Sequence, residues 1–143
     1  MKVKIKRFDK TLPLPEYKTP GAACIDLYTR ETTIIKPKEI KYIPLNVALE
    51  VPSNCFVLCV PRSSAHKLGI MQANNIGIGD SDYCGDNDEY KFAAYNYTEQ
   101  EITIERGTRL AQMLILNYQQ IEMEEVEQLH NQNRSGFGST GLK

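Results

Sequence analysis

The chain has 143 residues, 41% of them apolar and 24% charged, with a net charge of −1. That length suits one domain able to bury a core without disulfide staples, and the near-neutral balance excludes a global field that would draw in nucleic acid. No stretch approaches the ~18 apolar residues of a membrane span. The basic opening MKVKIKRFDK lacks the apolar centre of a secretory signal. The expected setting is therefore cytoplasmic, with neither membrane nor nucleic acid as partner.

The first element expected is a strand in VKIKRF, where apolar and polar residues alternate. All seven prolines lie between Pro13 and Pro61, which cuts the first half into pieces too short for ordinary helices. PGAACIDLY reads as a turn entering a strand. TIIKPKEIKYI alternates more loosely, and ALEV and CFVLCV follow as β-rich segments. In the second half Gly69, Gly77, Gly79, Gly85 and Gly107 mark turns between the runs KFAAYNY, EITIE and RLAQMLILNY. The last run is nearly continuous in apolar residues. Its length and the Arg106–Gly107 turn before it favour a strand. Short strands, regular turns and no convincing amphipathic helix point to an all-β barrel or sandwich.

Cys24, Cys55, Cys59 and Cys84 include no CxxC pair, and only His66 and His130 are available beside them. Buried free thiols in a reducing compartment are expected rather than a zinc site. Two charge features stand out: five basic residues in the first ten, and five acids with no base from Asp80 to Glu89. From about residue 128 the composition turns polar and glycine-rich, unable to bury the apolar surface that ordering requires. The expected division is a β domain over 1–127 and a mobile arm over 128–143, in which Phe137 between two glycines is the odd feature.

Five short motifs occur in one order: PGAACIDLY, PRSS, GIGDSDYCGD, RGTRLAQMLI and RSGFGSTG. Each alone is a common turn, cap or linker. Together, from about Leu12 to Gly141, they resemble the five blocks of the trimeric dUTP diphosphatase (dUTPase) family. The resemblance implies a jelly-roll-like distorted β-barrel with a flexible glycine-rich C-terminal arm. It also implies a homotrimer whose active sites are shared between subunits, and Mg2+-dependent hydrolysis of dUTP to dUMP and pyrophosphate.

Carried over by position, the resemblance makes Asp80 the carboxylate that aims a water at the α-phosphorus, with Asp82 as a competing, solvated candidate. Arg62, Ser63, Ser64 and Gln112 line the phosphate chain. A guanidinium fork, two hydroxyls and turn N–H groups are suited to that task. Asp26 supports the metal region through water, Mg2+ itself being held mainly by phosphates. The Gly77 backbone can approach a uracil edge closely, because no side chain intervenes. Asn74 serves the uracil and sugar side, and the Tyr83 ring leaves no room for a 2′-hydroxyl. In the arm, Phe137 stacks on uracil while Arg134, Gly138, Ser139 and Thr140 close over the far phosphate.

Three positions depart from the family pattern. Gln132 stands where an arginine is common, leaving Arg134 as the nearest replacement. Gly79 stands where an apolar residue usually precedes the catalytic aspartate, and it is expected to loosen the hairpin. Cys84 stands where arginine is frequent. These departures keep open a dUTPase-like nucleotide-binding or regulatory protein with weak or no catalysis. A related dCTP deaminase and a purely structural β module are further alternatives.

Overall fold

The structure is a computed structural model that describes residues 1–135. Eleven strands and one 3-10 turn make up its regular structure: β1 (Lys4–Arg7), β2 (Ile25–Tyr28), β3 (Thr33–Ile35), β4 (Ile40–Pro44), β5 (Val47–Glu50), β6 (Cys55–Pro61), the turn Ala65–Leu68, β7 (Ile70–Gln72), β8 (Gly77–Gly79), β9 (Lys91–Asn96), β10 (Ile102–Ile104) and β11 (Arg109–Asn117). The expected all-β class holds. TIIKPKEIKYI, read as one run, is two strands. The chain reverses between them through Pro37 and Lys38, the latter with φ of 61°.

All pairings are antiparallel, in four small sheets ordered β1-β5, β10-β3, β2-β11-β6-β8 and β4-β9-β7. Their inner faces share one core in which Leu27, Ile35, Ile43, Leu45, Val57, Ile70, Phe92, Ile104 and Leu110 are almost wholly removed from water. The strand period of two explains the membership. In β6, Cys55, Val57 and Cys59 point inward while Phe56, Leu58 and Val60 are half-buried on the other face. The Cys55 thiol donates to Asn117 Oδ1 at 3.0 Å, whereas the Cys59 thiol behaves as a small apolar group that burial pushes up to about 12. All four cysteines are free.

Two features position the site. The pairing of β11 with β2 is irregular between Arg109 and Ala111, a bulge that re-aims the side chains entering the strand. On the other edge of β6, the segment Gln72–Gly77 folds back tightly. Asn75 donates its N–H to the Gln72 carbonyl at 3.1 Å with φ of 59°, a conformation asparagine tolerates. β8 then pairs Gly77 with Cys59 and Gly79 with Val57. After β11 the described chain carries no regular element and is mostly exposed. Among the described residues no helix is long and apolar enough to cross a membrane.

Candidate active site

At one end of the sheet, Asp26 from β2 lies beside Gln112 from β11, which in turn lies beside Val60 of β6. The Asp26 carboxylate is buried and accepts from two guanidiniums: Arg62 Nε at 3.0 Å and Arg109 Nη1 at 3.1 Å. Arg62 leaves the end of β6, and its N–H donates to the Leu110 carbonyl at 3.1 Å. Its Nη1 lies 3.3 Å from the Arg109 carbonyl. Two positive charges against one negative leave this end of the sheet with a net positive charge. Gln112 Nε2 donates to the Pro61 carbonyl at 3.1 Å, which holds the amide at the start of the PRSS turn.

Ser63 and Ser64 follow, both exposed. Ser64 occupies the N-cap of the 3-10 turn but makes no side-chain capping bond. Among the described residues neither serine hydroxyl is spent on a protein partner, so both are available to a ligand. His66 Nδ1 lies 2.8 Å from the Ser63 carbonyl. A carbonyl only accepts, so Nδ1 carries the proton of this pair.

Across β6, the hairpin borders an open pocket of about 310 Å³ whose lining includes Asn74, Gly77, Asp80, Tyr83, Tyr90 and Cys59. Asn74 Nδ2 donates to the Ile76 carbonyl at 3.2 Å, tying the turn together. Asp80 begins a turn closed by the Tyr83 N–H on its carbonyl at 3.1 Å. Among the described residues, its carboxylate makes no hydrogen bond or ion pair. Asp80 also borders a second hollow of about 500 Å³ with Phe56, Ile78, Ser81, Asp82 and Tyr118. One free carboxylate thus stands at the junction of two cavities, able to accept from a water in either. Asp82 also borders the second hollow.

Tyr83 is fixed from two sides. Its hydroxyl donates to the Glu89 carbonyl at 3.0 Å, and its ring meets that of Tyr90 edge-on at 5.4 Å and 86°. Glu89 is itself buried, and its carboxylate accepts from Arg30 Nε at 2.8 Å, Arg30 Nη2 at 3.0 Å and the Asn46 N–H at 3.0 Å. The expectation that Gly79 loosens the hairpin is not met. Gly79 is buried and paired, and the space beside it is filled by the Tyr90 ring. Cys84 is exposed.

The fold therefore gathers Asn74, Gly77, Asp80 and Tyr83 in one place and Asp26, Arg62, Ser63, Ser64 and Gln112 in another. Among the described residues no hydrogen bond or ion pair joins the two groups. Arg134 is exposed, and Phe137, Gly138, Ser139 and Thr140 lie outside the described residues. Among the described residues no cluster of three His, Cys, Asp or Glu side chains is placed to hold a metal ion alone. Three residues that shape this region escaped the sequence reading. Arg109 was legible only as part of RLAQ, and Arg30 and Tyr90 carried no local signal.

A family model described as dUTPase matches residues 10–141. The chain belongs to the dUTPase family. Deoxyuridine 5′-triphosphate nucleotidohydrolase of Dictyoglomus turgidum is 41% identical over 149 residues, covering 99% of each chain. The SPbeta prophage-derived deoxyuridine 5′-triphosphate nucleotidohydrolase YosS of Bacillus subtilis is 39% identical over 145 residues, covering all of both. Among solved structures, the dUTPase of Streptococcus mutans matches with a TM-score of 0.77 and 27% identity over 83% of this chain and 98% of that one. A Staphylococcus bacteriophage 80alpha dUTPase solved with dUpNHpp matches with a TM-score of 0.86 over 99% of both chains. At 22% identity that likeness speaks for the fold alone. As a dUTPase-family chain, the protein keeps the glycine hairpin and the arginine–serine turn at the positions its sequence motifs marked.

Proposed function

We propose that the protein hydrolyses dUTP to dUMP and pyrophosphate, with Asp80 as the base that orients the attacking water. The observation that carries this reading is the free Asp80 carboxylate between two cavities, one of which is walled by Asn74, Gly77 and Tyr83. The 310 Å³ pocket is of the size small ligands occupy. Backbone groups of the hairpin present donors and acceptors to the edge of a uracil, and Gly77 lets the ring come close. The Tyr83 ring lies against the sugar.

Arg62, Arg109, the Ser63 and Ser64 hydroxyls and Gln112 form the cradle for the phosphates. Asp26 keeps the two guanidiniums side by side. The residues fit a Mg2+ ion carried by the phosphates, since among the described residues no three His, Cys, Asp or Glu side chains are grouped to hold one alone and Asp26 is committed to arginines. When bound, the ion neutralises the phosphate charge and eases departure of pyrophosphate. Asp80 holds the water in line with the α-phosphorus and accepts its proton as the P–O bond to the leaving group breaks.

The two groups of site residues sit on opposite edges of β6, which supports a homotrimer in which one subunit's hairpin faces another's arginine–serine turn. The arm from residue 128 would close the site, Phe137 covering the base while Arg134, Gly138 and Ser139 reach the phosphates. Closure of this kind excludes water at the cost of ordering the chain. Four free thiols suit a reducing cytoplasmic setting.

The test is Asp80→Asn, assayed for pyrophosphate release and for dUTP binding by calorimetry. Turnover is expected to fall by at least ~100-fold with binding retained, the usual worth of a positioned base. Wild-type-like turnover would remove Asp80 from its role. Tight binding with negligible release by the wild-type protein would establish the regulatory alternative.

A further inference from the structure

Gly79 shows no left-handed backbone, so its conformation alone would accept any residue. Space is what forbids one. A Cβ built at Gly79 would lie 2.5 Å from Cε1 and 2.6 Å from Cζ of Tyr90, and would run into the Tyr90 hydroxyl. Real carbon atoms do not approach so closely, so the ring and the missing side chain share one volume. Nor can the ring easily give way. Tyr90 donates its N–H to the Val47 carbonyl at 2.9 Å and accepts from the Leu45 N–H at 2.9 Å. The preceding residue, Glu89, is locked by Arg30 and Asn46.

From this seat the Tyr90 ring meets the Tyr83 ring in a perpendicular, edge-to-face contact. Both rings line the 310 Å³ pocket. We infer that Gly79 and Tyr90 are a matched pair that determines sugar selectivity: Tyr90, seated over Gly79, holds the Tyr83 ring at the depth that admits a deoxyribose and excludes a ribose. Tyr90 acts here as a positioning residue, through Tyr83 rather than through the reacting atoms. The inference deepens the proposed function and rests on the pocket being the deoxyuridine site. It also explains why a glycine is tolerated directly before Asp80. Tyr90 supplies the bulk that a side chain at position 79 would otherwise provide, and so keeps β8 and the following turn in register.

The experiment measures kcat/KM for dUTP and UTP in the wild type, Tyr90→Phe, Tyr90→Leu, Gly79→Ala and the double variant Gly79→Ala/Tyr90→Leu. Thermal melts confirm which variants are folded. Tyr90→Phe keeps the ring and is expected to retain the wild-type dUTP-to-UTP ratio. Tyr90→Leu and Gly79→Ala are each expected to lower that ratio by roughly tenfold, the scale on which small misplacements act. The double variant is expected to recover part of the loss, because the smaller side chain vacates the space the new methyl needs. A folded Tyr90→Leu protein that loses rate on both substrates equally, or keeps the ratio unchanged, overturns the inference and reduces Tyr90 to a packing role. Additive losses in the double variant overturn the pairing. Absence of dUTP hydrolysis by the wild type is a different failure, since it refutes the proposed function.

Discussion

Replacing Arg30 by Met tests how far the wall of the hairpin pocket depends on one buried ion pair. The Glu89 side chain is only 7% exposed and receives three N–H groups, two of them from the Arg30 fork. Removal of the fork leaves a buried carboxylate with a single donor. Breaking a buried pair costs roughly 3–5 kcal/mol, and the 34% exposure of the Arg30 side chain puts this case near the lower end, about 3 kcal/mol. For a domain of this length that corresponds to a fall in Tm of about 10 °C. The assay is a circular dichroism melt at fixed protein concentration, because the proposed homotrimer would melt according to its concentration. Arg30→Lys restores the charge without the fork and should lie about midway. Arg30→Met/Glu89→Leu removes both partners and should melt closer to the wild type than Arg30→Met does. A melt for Arg30→Met within about 2 °C of the wild type would refute the reasoning, as would a double variant less stable than Arg30→Met.

Phe92 is fully buried at the centre of the core, so Phe92→Ala should cost about 3–5 kcal/mol, measured by urea unfolding. Arg62→Ala should raise KM for dUTP at least tenfold, about 1.4 kcal/mol of lost phosphate binding, with a smaller change in kcat; steady-state pyrophosphate release reads both. Burial raises the Cys59 thiol from 9.0 to about 12, so the unfolded chain gives up this proton first as pH rises. Stability present below pH 9 is then lost between about pH 9 and pH 12. Cys59→Ala should flatten the alkaline limb of the stability curve. In the native protein a thiol reagent should modify exposed Cys84 quickly, while Cys55 and Cys59 react only on unfolding.

The strands whose residues alternate or run long were legible in the chain: β1, β6, β9, β10 and β11 lie where their patterns placed them. β7 and β8, three residues each, are too short to show a period, and their pairing with β9 and β6 defines them. That Asn74, Gly77, Asp80 and Tyr83 would line one pocket was readable because one hairpin carries all four. Arg30 and Glu89 are 59 residues apart, and Arg109 and Asp26 are 83 apart. Such pairs exist only once the sheets have formed. Gly79 was misread for the same reason. A glycine in a strand normally signals slack, and only the ring arriving from Tyr90 turns it into a tight fit.

The sharing of Asp26 between Arg62 and Arg109 has a kinetic consequence. Two guanidiniums brought together bare would repel each other, and a ligand would have to overcome that repulsion on arrival. Here the Asp26 carboxylate holds both through protein contacts alone, so under the proposed function an incoming phosphate chain meets a finished receptor at that end. Rearrangement on binding is thereby displaced to other parts of the molecule, and differences in affinity among variants of this cradle should surface in how fast the nucleotide leaves rather than how fast it arrives.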